Sequence, residues 1–94
     1  MRIRSVRHKG LHRLINREDP RGVRPELEDR IRNVVAALVA ATEIEEISGP
    51  PGWRLHRLRH DRTGTWSIRV SGNWRITFEV VDDEIWNLNL EDYH

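Results

Sequence analysis

The stretch Thr65-Trp-Ser-Ile-Arg-Val-Ser-Gly-Asn-Trp-Arg-Ile-Thr-Phe-Glu-Val80 alternates apolar and polar residues twice, on either side of a Gly-Asn pair. Trp66, Ile68 and Val70 share one face of a strand, and Ser67 and Arg69 take the other. Trp74, Ile76, Phe78 and Val80 repeat the pattern against Arg75, Thr77 and Glu79. A period of two over such short runs marks half-buried antiparallel strands. Directly opposed residues share a face, so Val70 is expected to oppose Trp74, which predicts a three-residue loop, Ser71-Gly72-Asn73. The same parity sets Arg69 beside Arg75 on the face away from the core.

Reading outward, Asp82-Asp83 makes the next turn, and Trp86, Leu88 and Leu90 alternate with Asn87 and Asn89 in a third strand. Trp53 to Leu58 is expected to add a fourth, and Ile3 with Val6 a short edge strand. The open face should then carry Arg69, Arg75, Thr77, Asn87 and Asn89, flanked by the loop from Arg59 to Thr65. Upstream the period is helical. Leu11, Leu14 and Ile15 are spaced for a short helix that stops before Asp19-Pro20. Pro25 suits a first helical position, with Glu26, Glu28 and Asp29 in the first turn. Leu27, Ile31, Val34, Val35 and Leu38 form one stripe of a helix reaching about Ala41. Thr42 to Gly52 reads as a linker, with Gly49-Pro50-Pro51-Gly52 excluding regular structure. The expected architecture is α+β: an N-terminal short strand and two helices packed on one face of an antiparallel sheet of about four strands, as a single domain over residues 1–94.

At 94 residues and 11.2 kDa the chain has room for one core. Its net charge is only +1, but the charge is segregated. Residues 1–32 and 53–75 are basic, whereas 33–52 and 76–94 are acidic. If folding joins the two basic segments, they form a cationic patch on a nearly neutral molecule. The absence of cysteine excludes disulfides, thiolate nucleophiles and cysteine-ligated metals. The longest apolar run, Val34 to Ala41, is far too short for a membrane span, and the basic N-terminus lacks a signal-peptide apolar region. These features lead to the expectation of a soluble cytoplasmic domain with no membrane partner. Fifteen of the sixteen basic residues are arginine, which composition bias explains as well as a need for phosphate-binding forks does.

Three segments carry a resemblance. Trp53-Arg-Leu-His-Arg-Leu-Arg-His-Asp-Arg-Thr-Gly-Thr-Trp66 runs into Ser67-Ile-Arg-Val-Ser-Gly-Asn-Trp-Arg-Ile-Thr-Phe78, and the chain closes on Glu91-Asp-Tyr-His94. With a weaker N-terminal match at His8-Lys9-Gly10-Leu11, the order resembles the HigB branch of the RelE/ParE toxin superfamily. The resemblance implies the toxin of a type II toxin–antitoxin pair, an endoribonuclease that cuts mRNA in the ribosomal A site. It implies no metal or other cofactor, because the RNA 2′-hydroxyl attacks the adjacent phosphate and the 5′-oxygen leaves. Such a reaction needs a base, an acid and cations on the phosphate.

The roles carry over by position. His56 matches a family histidine able to exchange a proton near neutrality. Arg75 matches an arginine that holds the phosphate. Arg59 stands where the family usually has lysine, keeping the charge but losing any proton-transfer role. His60 stands where the family has glycine and reads as an exposed loop residue. Asp92, Tyr93 and His94 match the terminal triplet: His94 as proton donor or acceptor, Asp92 as base or orienting carboxylate, Tyr93 as a base-stacking or phosphate-binding group. The first proton is left to His56, Asp92 or His94. The implied partners are mRNA, the ribosome with its 16S rRNA surface, and a HigA-like helix-turn-helix antitoxin through which operator DNA is bound only indirectly. Two rival readings are a non-enzymatic ParE-like inhibitor of a target such as gyrase, and a catalytically weakened homologue that retains antitoxin or RNA binding. His8 and His12 are four residues apart but read as surface residues rather than metal ligands. Trp66, Trp74 and Trp86 fall on apolar strand faces and read as core.

Overall fold

The computed structural model describes residues 1–47, 51–59 and 62–92. Helix α1 (Lys9–Arg17) begins at His8, whose Nδ1 accepts the Leu11 amide at 3.0 Å. Only a ring nitrogen without a proton can accept this bond, and partial burial lowers the His8 pKa in the direction that keeps it so. The weak N-terminal motif is therefore explained by capping. It ends on left-handed Glu18, ahead of Asp19-Pro20 as expected. Pro25–Leu27 forms a single 3₁₀ turn leading into α2 (Glu28–Ala40), so Pro25 opens that turn rather than the α-helix itself. The expected linker after α2 is more ordered than its composition implies. Ile44–Glu46 and Pro51–Trp53 form 3₁₀ turns, and Ile44 and Ile47 are buried, anchoring the acidic segment to the core. Gly49 and Pro50 lie outside the described residues.

The sheet consists of β1 (Arg2–Ile3), β2 (His56–Arg57), β3 (Thr65–Ser71), β4 (Trp74–Val81) and β5 (Glu84–Asp92), in the order β1-β5-β4-β3-β2. Four strands are antiparallel, as the alternation requires, but β1 joins the edge parallel to β5, so the sheet is mixed and five-stranded. The expected strand from Trp53 to Leu58 contracts to two residues, because the preceding 3₁₀ turn takes Trp53. Asp82 and Asp83 both adopt positive φ between the paired Val81 and Glu84, the backbone a two-residue hairpin loop needs.

Two bulges reset the parity. Arg69 opposes Arg75 as expected, but Ser71, not Val70, opposes Trp74. The loop is thus the two residues Gly72-Asn73, with Gly72 at φ 56°, and the odd residue is absorbed within β3. In β5, Thr77 opposes Asn89 while Glu79 opposes Trp86, so one extra residue lies on the β5 side. Asn87 sits there in the left-handed conformation at φ 55°. Its amide donates to the Ser5 hydroxyl at 2.7 Å and its carboxamide to Glu79 at 3.1 Å. The bulge returns Ile85 to the core beside Leu88 and turns Trp86 to the other face, where Arg4 lies 5.5 Å over its ring. Trp86 is therefore not the core residue that uninterrupted alternation predicts.

Leu11 and Leu14 of α1, with Leu27, Ile31, Val34 and Leu38 around α2, pack on Ile68, Ile76, Phe78, Ile85, Leu88 and Leu90. Trp66 and Trp74 pack partly buried at the margin of this core. Among the described residues no helix is long and apolar enough to cross a membrane. The turn after α1 approaches so closely that a Cβ on Gly10 would lie 1.9 Å from the Gly22 carbonyl oxygen. Gly10→Ala is accordingly expected to cost about 1–3 kcal/mol through forced displacement of backbone. Gly52→Ala, whose Cβ meets nothing within 4 Å, should shift the denaturation midpoint little. Parallel urea titrations of the two variants check this.

Candidate active site

Two cross-strand rows build the open face. The first is Arg69, Arg75 and Glu91; the second is His56, Ser67, Thr77 and Asn89. Directly opposed like charges repel, and here two guanidinium groups stand side by side at the hairpin end. Both donate to the Gly72 carbonyl, Arg69 Nε at 3.3 Å and Arg75 Nη1 at 2.9 Å. Guanidinium forks of this kind match the geometry of a phosphate group.

Glu91 follows Asn89 by two residues and so takes the same face, opposite Arg75. Arg62 grips its carboxylate in two-point fashion at 2.9 and 2.7 Å, and the Thr77 hydroxyl also donates to it. The hydrogen-bonding Arg62 guanidinium, aided by Thr77 and the more distant charge of Arg7, holds the Glu91 carboxyl below its ordinary value. This pair docks the segment before β3 onto the end of β5. Sequence reasoning does not single out Glu91 as a site residue, although its parity with Asn89 is the signal that finds it. Thr77 is almost wholly buried beneath the pair, and the hydroxyl of Ser67, only 1% exposed, has no partner among the described residues.

His56 stands on exposed β2, with Nδ1 2.7 Å from the Arg54 carbonyl. A carbonyl only accepts, so Nδ1 carries the proton of this bond, and Nε2 is the ring nitrogen left for another partner. Two strand spacings, about 10 Å, separate its backbone from β4. Arg59 is exposed just beyond β2, and its carbonyl accepts the Arg62 amide at 3.4 Å. The structure thus brings His56, Arg69 and Arg75 to one face, with Arg59 in the flanking segment. Asp92 is placed differently: it pairs opposite Trp74, so strand alternation directs it with that residue rather than with Arg75. His60, Tyr93 and His94 lie outside the described residues.

Between these groups and β1 lies a pocket of about 240 Å³ on the open face, lined by Arg7, Thr65, Thr77, Glu79 and Asn89 among others. Its polar lining, and the Arg69–Arg75 pair on the neighbouring strands β3 and β4, equip the face to hold a phosphodiester and hydrogen-bond what hangs from it.

The depressed Glu91 pKa has a direct consequence for stability. A carboxyl whose folded pKa lies below its unfolded one stabilises the fold above the unfolded value, and that contribution disappears as pH falls through the folded value. Glu91→Gln should therefore be less stable than the unaltered chain at pH 7 by about 1 kcal/mol, since the pair is only partly screened. The difference should shrink below pH 4.5, the ordinary glutamate value. Chemical denaturation from pH 7 to pH 3 tests the sign, and a difference that grows on acidification would contradict it.

Comparison with known proteins shows the chain's kinship. A family model described as the RelE-like toxin of type II toxin–antitoxin system HigB matches residues 4–94. Endoribonuclease HigB of Proteus vulgaris is 44% identical over 92 residues, which cover 98% of this chain and 99% of that protein. Among solved structures, YafQ from E. coli strain BL21(DE3) aligns with a TM-score of 0.61 over 95% of this chain and 87% of its own, at 12% identity. A YafQ mutant from E. coli aligns equally well at 11% identity. The YafQ likeness concerns the fold alone; the family match begins just after β1 and runs through the arginine-bearing hairpin and the last strand. On that near-complete match, the chain belongs to the HigB-like family of RelE-like toxins of type II toxin–antitoxin systems.

Proposed function

We propose that this toxin is a ribosome-dependent endoribonuclease that cuts mRNA in the A site by attack of the 2′-hydroxyl on the adjacent phosphate. The observation that carries the reading is the placing of Arg69, Arg75 and His56 on one face of the sheet. Its kinship with an endoribonuclease supports it. In this mechanism the 2′-oxygen bonds to phosphorus while the bond to the 5′-oxygen breaks, leaving a cyclic phosphate and a new 5′-hydroxyl. Arg75 and Arg69 stabilise the charge that builds on the phosphate oxygens. His56, whose Nε2 is not engaged by the Arg54 carbonyl, is suited to exchange the 2′-proton. His94 supplies the proton for the leaving oxygen, Asp92 orients or relays, and Tyr93 stacks on a base or bonds to phosphate. These three roles rest on the family resemblance. Arg59 acts as a fixed charge, because guanidinium does not deprotonate in proteins. Nucleophile and leaving group both belong to the RNA, so the 2′-hydroxyl itself selects RNA over DNA.

A type II toxin has an antitoxin partner. We assign that partner as HigA-like, with a helix-turn-helix domain through which operator DNA is reached indirectly. Residues 1–94 act as one domain in the cytoplasm, where mRNA and the 16S rRNA surface are met.

The test is a reconstituted translation reaction with purified protein. Message truncated within A-site codons is expected. Arg75→Ala should lower cleavage by about 10²–10³-fold, typical of removing a group that binds transition-state charge. His94→Ala should do likewise, with thermal midpoints unchanged in both. Arg59→Lys should alter the rate only modestly; a gain of orders of magnitude would show that a proton donor is needed there. Intact message accompanied by blocked supercoiling would instead favour a gyrase inhibitor, and intact message with antitoxin binding retained would indicate a weakened homologue.

A further inference from the structure

The 240 Å³ pocket on the open face differs chemically from the arginine pair beside it. Its walls carry two cations, Arg7 and Arg62, and two carboxylates, Glu79 and Glu91. Charge is balanced there, and Arg62 is already engaged by Glu91. A phosphate entering this pocket would meet two carboxylates. A neutral polar ring would not be repelled, and the volume lies below the roughly 300–1,000 Å³ of drug-sized pockets, at the scale of a smaller fragment.

Asn89 lines this space from β5, between the central strand β4 and the edge strand β1. It is half-buried, and its carboxamide makes no hydrogen bond among the described residues. Its neighbours on the same strand are all committed: Asn87 to Ser5 and Glu79, Glu91 to Arg62 and Thr77. An uncommitted carboxamide offers a donor beside an acceptor, the pattern that pairs with the edge of a nucleobase. Asn89 lies two residues from Glu91, which opposes Arg75, so the separation along the strand is about 7 Å, within reach of a single nucleotide.

We propose that this pocket binds one base of the RNA next to the scissile linkage, and that Asn89 reads its edge. The inference rests on the endoribonuclease reading above and adds to it a residue that determines sequence preference. Arg7, which also lines the pocket and is not ion-paired among the described residues, offers the bound ring a planar guanidinium to stack on.

The experiment maps the ends of fragments released from a mixed mRNA pool in the same translation reaction. The unaltered protein, Asn89→Ala and Asn89→Asp are compared. With the unaltered protein, one base should be preferred at one position near the cut. Asn89→Ala should weaken that preference about tenfold, the worth of roughly one base-edge contact, while other positions keep theirs. Asn89→Asp keeps the shape of the residue and removes its donor, so it should move the preference toward bases that donate there. Identical profiles for all three proteins would overturn the inference and leave the endoribonuclease reading standing. So would equal slowing at every sequence, which marks a structural role. Absence of cleavage by the unaltered protein would overturn the endoribonuclease reading, and this inference with it.

Discussion

Left-handed Asn87 decides which face each residue of the last strand serves. On its C-terminal side Leu88 and Leu90 enter the core, and on its N-terminal side Ile85 does so, a spacing that regular alternation forbids. The extra residue shifts the β4–β5 register, and the Ser5 hydroxyl accepts the Asn87 amide. A buried amide without a partner costs as much as several ordinary contacts contribute, so this single hydroxyl underwrites the geometry. From it follow the outward turn of Trp86, the inward position of Ile85, and the free carboxamide of Asn89 over the pocket.

Charge is distributed by the same logic of commitment. On the helix side Arg21, Arg24 and Arg32 each lie against a carboxylate of the same surface. On the open face Arg62 is bound to Glu91, whereas Arg69 and Arg75 share a backbone carbonyl and stand against each other. The strands fix both positions before any ligand arrives, which in the proposed function lowers the cost of reorganisation when charge develops on a phosphate. In the proposed function the charge-balanced pocket next to them favours a neutral group, so that linkage and base bind at separate places on one face.

Much of this was legible from residue order. The helical stripe from Leu27 to Leu38, the stop before Asp19-Pro20, the Asp82-Asp83 turn and the Arg69–Arg75 pairing follow from local period and turn chemistry, which act over a few residues. Places where the expectation fails are those where a distant contact overrides the local rule. The isoleucines of the acidic segment fold onto a core the segment itself cannot announce. The three-residue loop becomes a two-residue loop because a bulge absorbs the odd residue in β3. Asp92, named by the terminal motif, pairs opposite Trp74, and Glu91 takes the place beside Arg75.

Sequence by itself determined the class of fold, the identity of the two arginines that meet, and the family to which the chain is kin, since each depends on residue types at short or fixed spacings. Tertiary structure alone decided the parallel docking of β1, the parity of β5 after its bulge, and the Arg62–Glu91 clasp. Those features depend on which backbone groups find partners across eighty residues of chain, as Ser5 does with Asn87, and no local period encodes such a meeting.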